Sequence, residues 1–109
     1  MQGDDLDYEL LRKLDELNST NQRDLAVRMG ISVGKVNFCL RAVIEKGWVK
    51  VNNFKRADNK WAYAYLLTPN GVSAKVSLAK AFLERKEREF EQLQAEIDRL
   101  RTEIESEQK

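Results

Sequence analysis

Beyond Pro69, the only proline of the chain, a single glycine at position 71 interrupts an otherwise unbroken run of helix-compatible residues. Along that run Val76, Leu83, Phe90, Ile97 and Ile104 recur every seven residues, and Ala79, Lys86, Leu93 and Leu100 fall three after the first four. This is the a/d seam of a coiled coil. Thr68 can act as N-cap and Pro69 fits the first helical position. The pattern predicts one helix from there to about Glu107, roughly 57 Å long at 1.5 Å per residue. A helix of that length with one apolar stripe cannot bury the stripe against its own small domain, so a second copy is expected to cover it. The expected dimerisation residues are Val76, Ala79, Leu83, Phe90, Leu93, Ile97, Leu100 and Ile104. Lys86 is a flaw at a d position. Parallel pairing sets Glu96 against Arg101, whereas antiparallel pairing brings Glu89, Glu96 and Glu103 together. This favours parallel pairing, but only weakly, because exposed pairs contribute less than about 1 kcal/mol each.

The preceding residues carry shorter periodic segments. Leu6, Leu10, Leu14 and Leu17 predict a first helix of roughly residues 5–17. Asn21 can cap a second helix over about 22–29, with Asp24 completing an approximate capping box and Leu25, Ala26 and Met29 facing inward. Gly30 ends it in a tight turn. Ser32 can cap a third helix over about 33–46, with Val36, Cys39, Leu40 and Val43 inward, and Gly47 ends that one. Trp48–Val51 and Trp61–Leu67 read as strands of a hairpin whose tip carries Lys55, Arg56 and Lys60. The fold expected is mainly α with a small β-hairpin. A winged helix-turn-helix over residues 1–68 is followed by one long C-terminal dimerisation helix over residues 69–109.

In a helix-turn-helix pair the second helix enters the major groove of double-stranded DNA. With Val36, Leu40 and Val43 turned inward, Gly34, Lys35, Asn37, Phe38 and Arg41 lie on the opposite side. Lys35 and Arg41 suit phosphates or guanine, Asn37 suits adenine, and Phe38 can press on a thymine methyl. Gly34 permits close approach, and Ser32 starts the same helix. Gln22 and Arg23 begin the second helix, where amides and the helix dipole favour a phosphate. Lys55, Arg56 and Lys60 could reach a minor groove or flanking backbone. Each has a plainer reading: Phe38 folded onto the hairpin, the charges merely solvating the surface. Trp48, Trp61, Tyr63 and Tyr65 could stack on bases, but strand alternation favours the core for most of them. Cys39 reads as a small buried hydrophobe rather than a redox sensor.

Charge supports the nucleic-acid reading. The net charge is +1, yet Arg23, Arg28, Lys35, Arg41, Lys46, Lys50, Lys55, Arg56 and Lys60 crowd into residues 19–61, against Asp24, Glu45 and Asp58. No apolar run is long enough to span a membrane, and the acidic start does not look like a signal sequence. A cytoplasmic, nucleoid-associated protein is expected. With no histidine and one cysteine, an internal disulfide is excluded, and neither a metal site, a cofactor nor an enzymatic activity is expected.

The stretch "NQRDLAVRMGISVGKVNFCLRAVIEKGWVKVNNF", followed by "YAYLLTPNG", resembles the small MarR-type proteins described as EPS-associated transcriptional regulators. The resemblance extends over about residues 6–105, and the GKVN-to-KGWVK block is its most specific part. It implies a bacterial, dimeric, DNA-binding regulator tied to exopolysaccharide gene clusters, with Gln22, Arg23, Lys35, Asn37 and Arg41 at the helix-turn-helix positions. This chain has Asn21 where serine is usual, Phe38 where tyrosine is common, and Trp61 where a smaller residue often sits. Many larger MarR proteins bind a phenolic effector between two subdomains. This chain is shorter and lacks their extra C-terminal helices, so no effector site is carried over.

Two functions therefore compete. One is a sequence-specific regulator acting as a homodimer on a pseudo-palindromic operator. The other is a winged-helix and coiled-coil protein–protein interaction module without DNA binding, which would favour an apolar or mixed-charge third helix.

Overall fold

Leu6, Leu10, Leu11 and Leu14 line one side of the first helix, α1 (Gly3–Glu16), and all four are buried. The computed structural model describes residues 3–17, 20–55 and 61–108, without the side chains of Phe54, Lys55, Trp61 and Ala62. Helix α1 begins before the first leucine, with Asp4 and Asp5 placing negative charge at the positive end of its dipole. Leu17 falls just past the helix and still packs against the core.

Helix α2 (Gln22–Met29) starts where Asn21 Oδ1 accepts the Asp24 backbone N–H at 2.7 Å. The return half of the expected capping box is not what the Asp24 carboxylate does. It accepts instead from Arg28 Nε at 2.9 Å and Thr20 Oγ1 at 3.1 Å, because the aspartate stem is one methylene shorter than the glutamate that usually closes this box. Those two bonds, Arg28 first, hold the carboxylate pKa below its ordinary value. Gly30, at φ +67°, closes α2 with Ile31 N–H donating to the Ala26 carbonyl and Gly30 N–H to that of Val27.

Ser32 Oγ accepts the Lys35 N–H at 3.1 Å and opens α3 (Val33–Glu45). Gly47, at φ +78°, ends it in the same way: Trp48 N–H donates to the Val43 carbonyl and Gly47 N–H to that of Ile44. Replacing Asn21 by alanine is expected to cost about 1 kcal/mol, whereas serine leaves stability nearly unchanged. Thermal denaturation followed by circular dichroism checks this.

Strands β1 (Val49–Lys55) and β2 (Trp61–Leu67) pair antiparallel, Val49 opposite Leu67 and Val51 opposite Tyr65. Thr20 adds a single bridge to Tyr63. Val49 and Tyr65 on one face are buried, and Lys50 and Leu66 on the other are exposed, as a period of two requires. The core joins the four α1 leucines to Leu25 and Ala26 of α2, Val36, Cys39, Leu40 and Val43 of α3, Val49 and Tyr65. Each leucine fully removed from water contributes about 1.5–3 kcal/mol.

Thr68 begins the last helix, α4 (Pro69–Glu107), and latches it to the α3–β1 corner. Its N–H donates to the Trp48 carbonyl at 3.0 Å, its hydroxyl donates to the Gly47 carbonyl, and its oxygen accepts from Gly71 N–H at 3.0 Å. Gly71 is buried so close to Trp48 that a Cβ there would lie 1.9 Å from the Trp48 carbonyl oxygen. Ala74 and Leu78 continue the packing against the core. The chain divides into two compact units, Met1–Ala79 and Lys80–Lys109. The first holds all of the core, and the second contains α4 from Lys80 to Glu107.

Candidate nucleic-acid interface

Helix α3 is two-faced because its apolar residues keep a helical period while polar residues fill the gaps. Val36, Cys39, Leu40 and Val43 are buried; Ser32, Gly34, Lys35, Phe38 and Arg41 are exposed, and Asn37 is half-buried between the two sets. Phe38 is 70% exposed. It does not fold onto the hairpin but stands between Gly34, Asn37 and Arg41 on one flank and Lys35, Cys39 and Lys46 on the other. A phenylalanine so placed gains nothing from water and offers a flat apolar contact beside three cations, Lys35, Arg41 and Lys46, with Asp4, Asp7 and Glu45 lining the same two hollows.

Between α3 and the hairpin runs a groove of about 380 Å³ lined by Gln22, Asn37, Leu40, Arg41, Ile44, Val51, Tyr63 and Tyr65. Asn37 Nδ2 donates to Gln22 Oε1 at 3.3 Å. Tyr63 and Tyr65 stack with ring centroids 6.1 Å apart. Burial, and then the neighbouring Tyr63, raise the Tyr65 hydroxyl pKa. Tyr63 is the exception to the core placement expected for most of the hairpin aromatics: it is 40% exposed on the groove wall, whereas Tyr65 is buried and Trp48 packs against the core. The alternation was sound, because Tyr63 and Tyr65 share a face. What strand period does not carry is distance along the strand: by Tyr63 that face has passed the core and overhangs α2 and α3. Trp48 is half-buried against the core, with Lys46 Nζ 4.6 Å from its ring centroid.

Arg23 is exposed in the first turn of α2 and Gln22 is half-buried. The Ser32 hydroxyl oxygen is taken by the Lys35 N–H, so its place on this face is that of a cap. Of the hairpin-tip cations, Arg56 and Lys60, like the side chains of Lys55 and Trp61, lie outside the described residues. Cys39 is buried, and desolvation followed by the Asp7 charge pushes its thiol pKa up while Lys35 opposes. A thiol held protonated is a poor nucleophile. Among the described residues no His, Cys, Asp or Glu cluster is placed to hold a metal ion, and no helix is long and apolar enough to cross a membrane.

Along α4, Val76, Leu83, Phe90, Leu93, Leu100 and Ile104 are 49–65% exposed, while Ala79 and Ile97 are intermediate. Lys86, at the flawed position, bonds Glu89 at 3.1 Å and lies 5.3 Å from the Phe82 ring centroid.

This arrangement defines a winged helix-turn-helix protein: three helices, a two-stranded wing, and a third helix whose outer face mixes Lys35 and Arg41 with the exposed Val33, Phe38 and Ile44. Residues 4–50 match a family described as winged helix-turn-helix DNA-binding. No curated protein matches the chain.

Solved structures similar to it include two MarR proteins and a further transcription regulator. One is a MarR/EmrR family transcriptional regulator from Acinetobacter sp. ADP1, with 19% identity, a TM-score of 0.59, and coverage of 93% of this chain and 75% of that one. A second is Staphylococcus aureus MarR in complex with salicylate and kanamycin, with 17% identity, a TM-score of 0.57, and coverage of 79% and 56%. A third is MepR, a transcription regulator of the Staphylococcus aureus multidrug efflux pump MepA, with 18% identity, a TM-score of 0.50, and coverage of 88% and 78%. At these identities the likeness is one of fold.

Proposed function

We propose that this chain is a bacterial DNA-binding transcription regulator that acts as a homodimer on a pseudo-palindromic operator. Residues 1–68 form the DNA-binding domain and residues 69–109 the dimerisation helix. The observation that carries the reading is the outer face of α3, where Lys35, Phe38 and Arg41 stand exposed around Asn37. Helix α3 enters the major groove, with Asn37 and Arg41 toward base edges and Lys35 on phosphate. Gln22, Arg23, Ser32 and Gly34 border that contact, and Lys55, Arg56 and Lys60 reach the flanking backbone or minor groove. The exposed seam from Val76 to Ile104 supports pairing of two α4 helices, which sets two copies of α3 on half-sites about 34 Å apart. The resemblance of the GKVN-to-KGWVK block points further, to exopolysaccharide gene control.

Gel shifts on the duplex upstream of the protein's own gene, at several salt concentrations, test the reading. Affinity is expected to fall steeply with salt, by about 0.9 log units per log unit for each phosphate neutralised. Lys35→Ala is expected to reduce that slope by about one while weakening all sequences alike. Binding indifferent to both salt and Lys35→Ala rejects the proposal and favours the interaction module, for which the exposed α4 stripe would be the docking surface.

A further inference from the structure

We infer that Gln22 is a positioning residue for base recognition: its side-chain amide holds that of Asn37 so that Asn37 reads adenine. The inference rests on the DNA-binding reading above and changes what Gln22 does within it, from a phosphate contact at a helix start to a support for the reading side chain.

Both amides are half-buried on the same groove wall, and the bond between them joins α2 to α3 across 15 residues of sequence. Asparagine on a solvated helix face turns freely, because its terminal torsion has broad, shallow wells. Committing one Nδ2 hydrogen to Gln22 Oε1 at 3.3 Å biases that torsion toward one orientation. The groups that remain, the second Nδ2 hydrogen and Oδ1, are a donor and an acceptor, the pair that complements adenine N7 and N6 in the major groove. Removing rotational freedom before contact lowers the entropy lost on binding and rejects bases that need the opposite arrangement.

The backbone that carries Gln22 is well held. It is the first residue of α2, directly after the Asn21 cap, and Thr20 just before it donates its N–H to the Tyr63 carbonyl at 3.2 Å. Helix α2 and strand β2 therefore fix the base from which the Gln22 side chain reaches Asn37, and Leu40 and Tyr63 wall the groove around the pair. This is the support from a neighbouring element that a precise recognition site requires.

The test is selection from a library of duplexes with a randomised stretch, using the full chain and its variants, each confirmed to melt like the parent. The parent is expected to enrich a motif containing adenine at the position that Asn37→Ala relaxes. Gln22→Leu is expected to relax that same position by at least about fivefold, the lower end of what a bidentate contact discriminates, and to leave other positions intact. Gln22→Glu keeps an acceptor facing Asn37 Nδ2, so it retains the adenine preference even as its added negative charge lowers affinity overall. The double variant Gln22→Leu, Asn37→Ala is expected to discriminate no less than Asn37→Ala alone. A Gln22→Leu protein that loses affinity equally for every sequence, or a Gln22→Glu protein that loses the adenine preference, overturns the assignment and restores the phosphate contact. A parent that enriches no sequence overturns the DNA-binding reading itself.

Discussion

Gly71→Ala is expected to lower the melting temperature by more than about 10 °C. The new Cβ would sit 1.9 Å from the Trp48 carbonyl oxygen and 2.8 Å from its carbon. Both are backbone atoms, so no flexible side chain can swing aside, and relief requires moving α4 off the α3–β1 corner. That motion breaks the bonds Thr68 makes to Trp48, Gly47 and Gly71. Overpacking costs typically 1–3 kcal/mol and more where backbone must shift. At about 4–8 °C per kcal/mol for a domain of this size, a cost near the top of that range gives the stated fall. Gly34→Ala is the control. Gly34 is also helical, but a Cβ there meets nothing within 4 Å, and alanine's higher helix propensity should hold or raise the melting temperature. Equal melting of the parent and Gly71→Ala would mean that α4 does not seat on Trp48.

Leu93→Asp combined with Leu100→Asp is expected to halve the mass measured by sedimentation. Both leucines are half exposed, 54% and 49%, and a second helix covering them would bury two carboxylates per chain with no cation at those seam positions. The core residues all lie before Ala79, so the winged-helix unit should keep its own melting transition while far-ultraviolet helicity falls. Affinity for a duplex with two half-sites should drop by roughly 10²- to 10⁴-fold, the gain that tethering two modest contacts supplies. Binding to a single half-site should change little. An unchanged mass would end the case for pairing through α4.

Several parts of this fold were legible before any coordinate. Gly30 and Gly47 end their helices in left-handed turns because glycine adopts positive φ without steric cost. Asn21, Ser32 and Thr68 each accept a backbone N–H three residues on. The buried stripe Val36, Cys39, Leu40 and Val43 follows helical period, which is also why the exposure of Lys35, Phe38 and Arg41 could be foreseen. Other parts were not. Leu11 joins the buried face of α1, whose period also admits an i+1 neighbour once a second helix crosses it. Tyr63 emerges from the core onto a groove wall, and Gln22 turns from the solvent toward Asn37.

The amino-acid sequence by itself determined where helices start and stop, which face of each is apolar, and that α4 carries a seam it cannot bury alone. Those properties depend on groups within about four residues of one another, through cap hydrogen bonds and the 3.6-residue period. The tertiary structure alone decided that Gly71 must lack a side chain, that Tyr63 faces the groove, and that Gln22 clasps Asn37. Each of these joins segments distant along the chain, and their separation is fixed only when the helices and hairpin choose their packing angles.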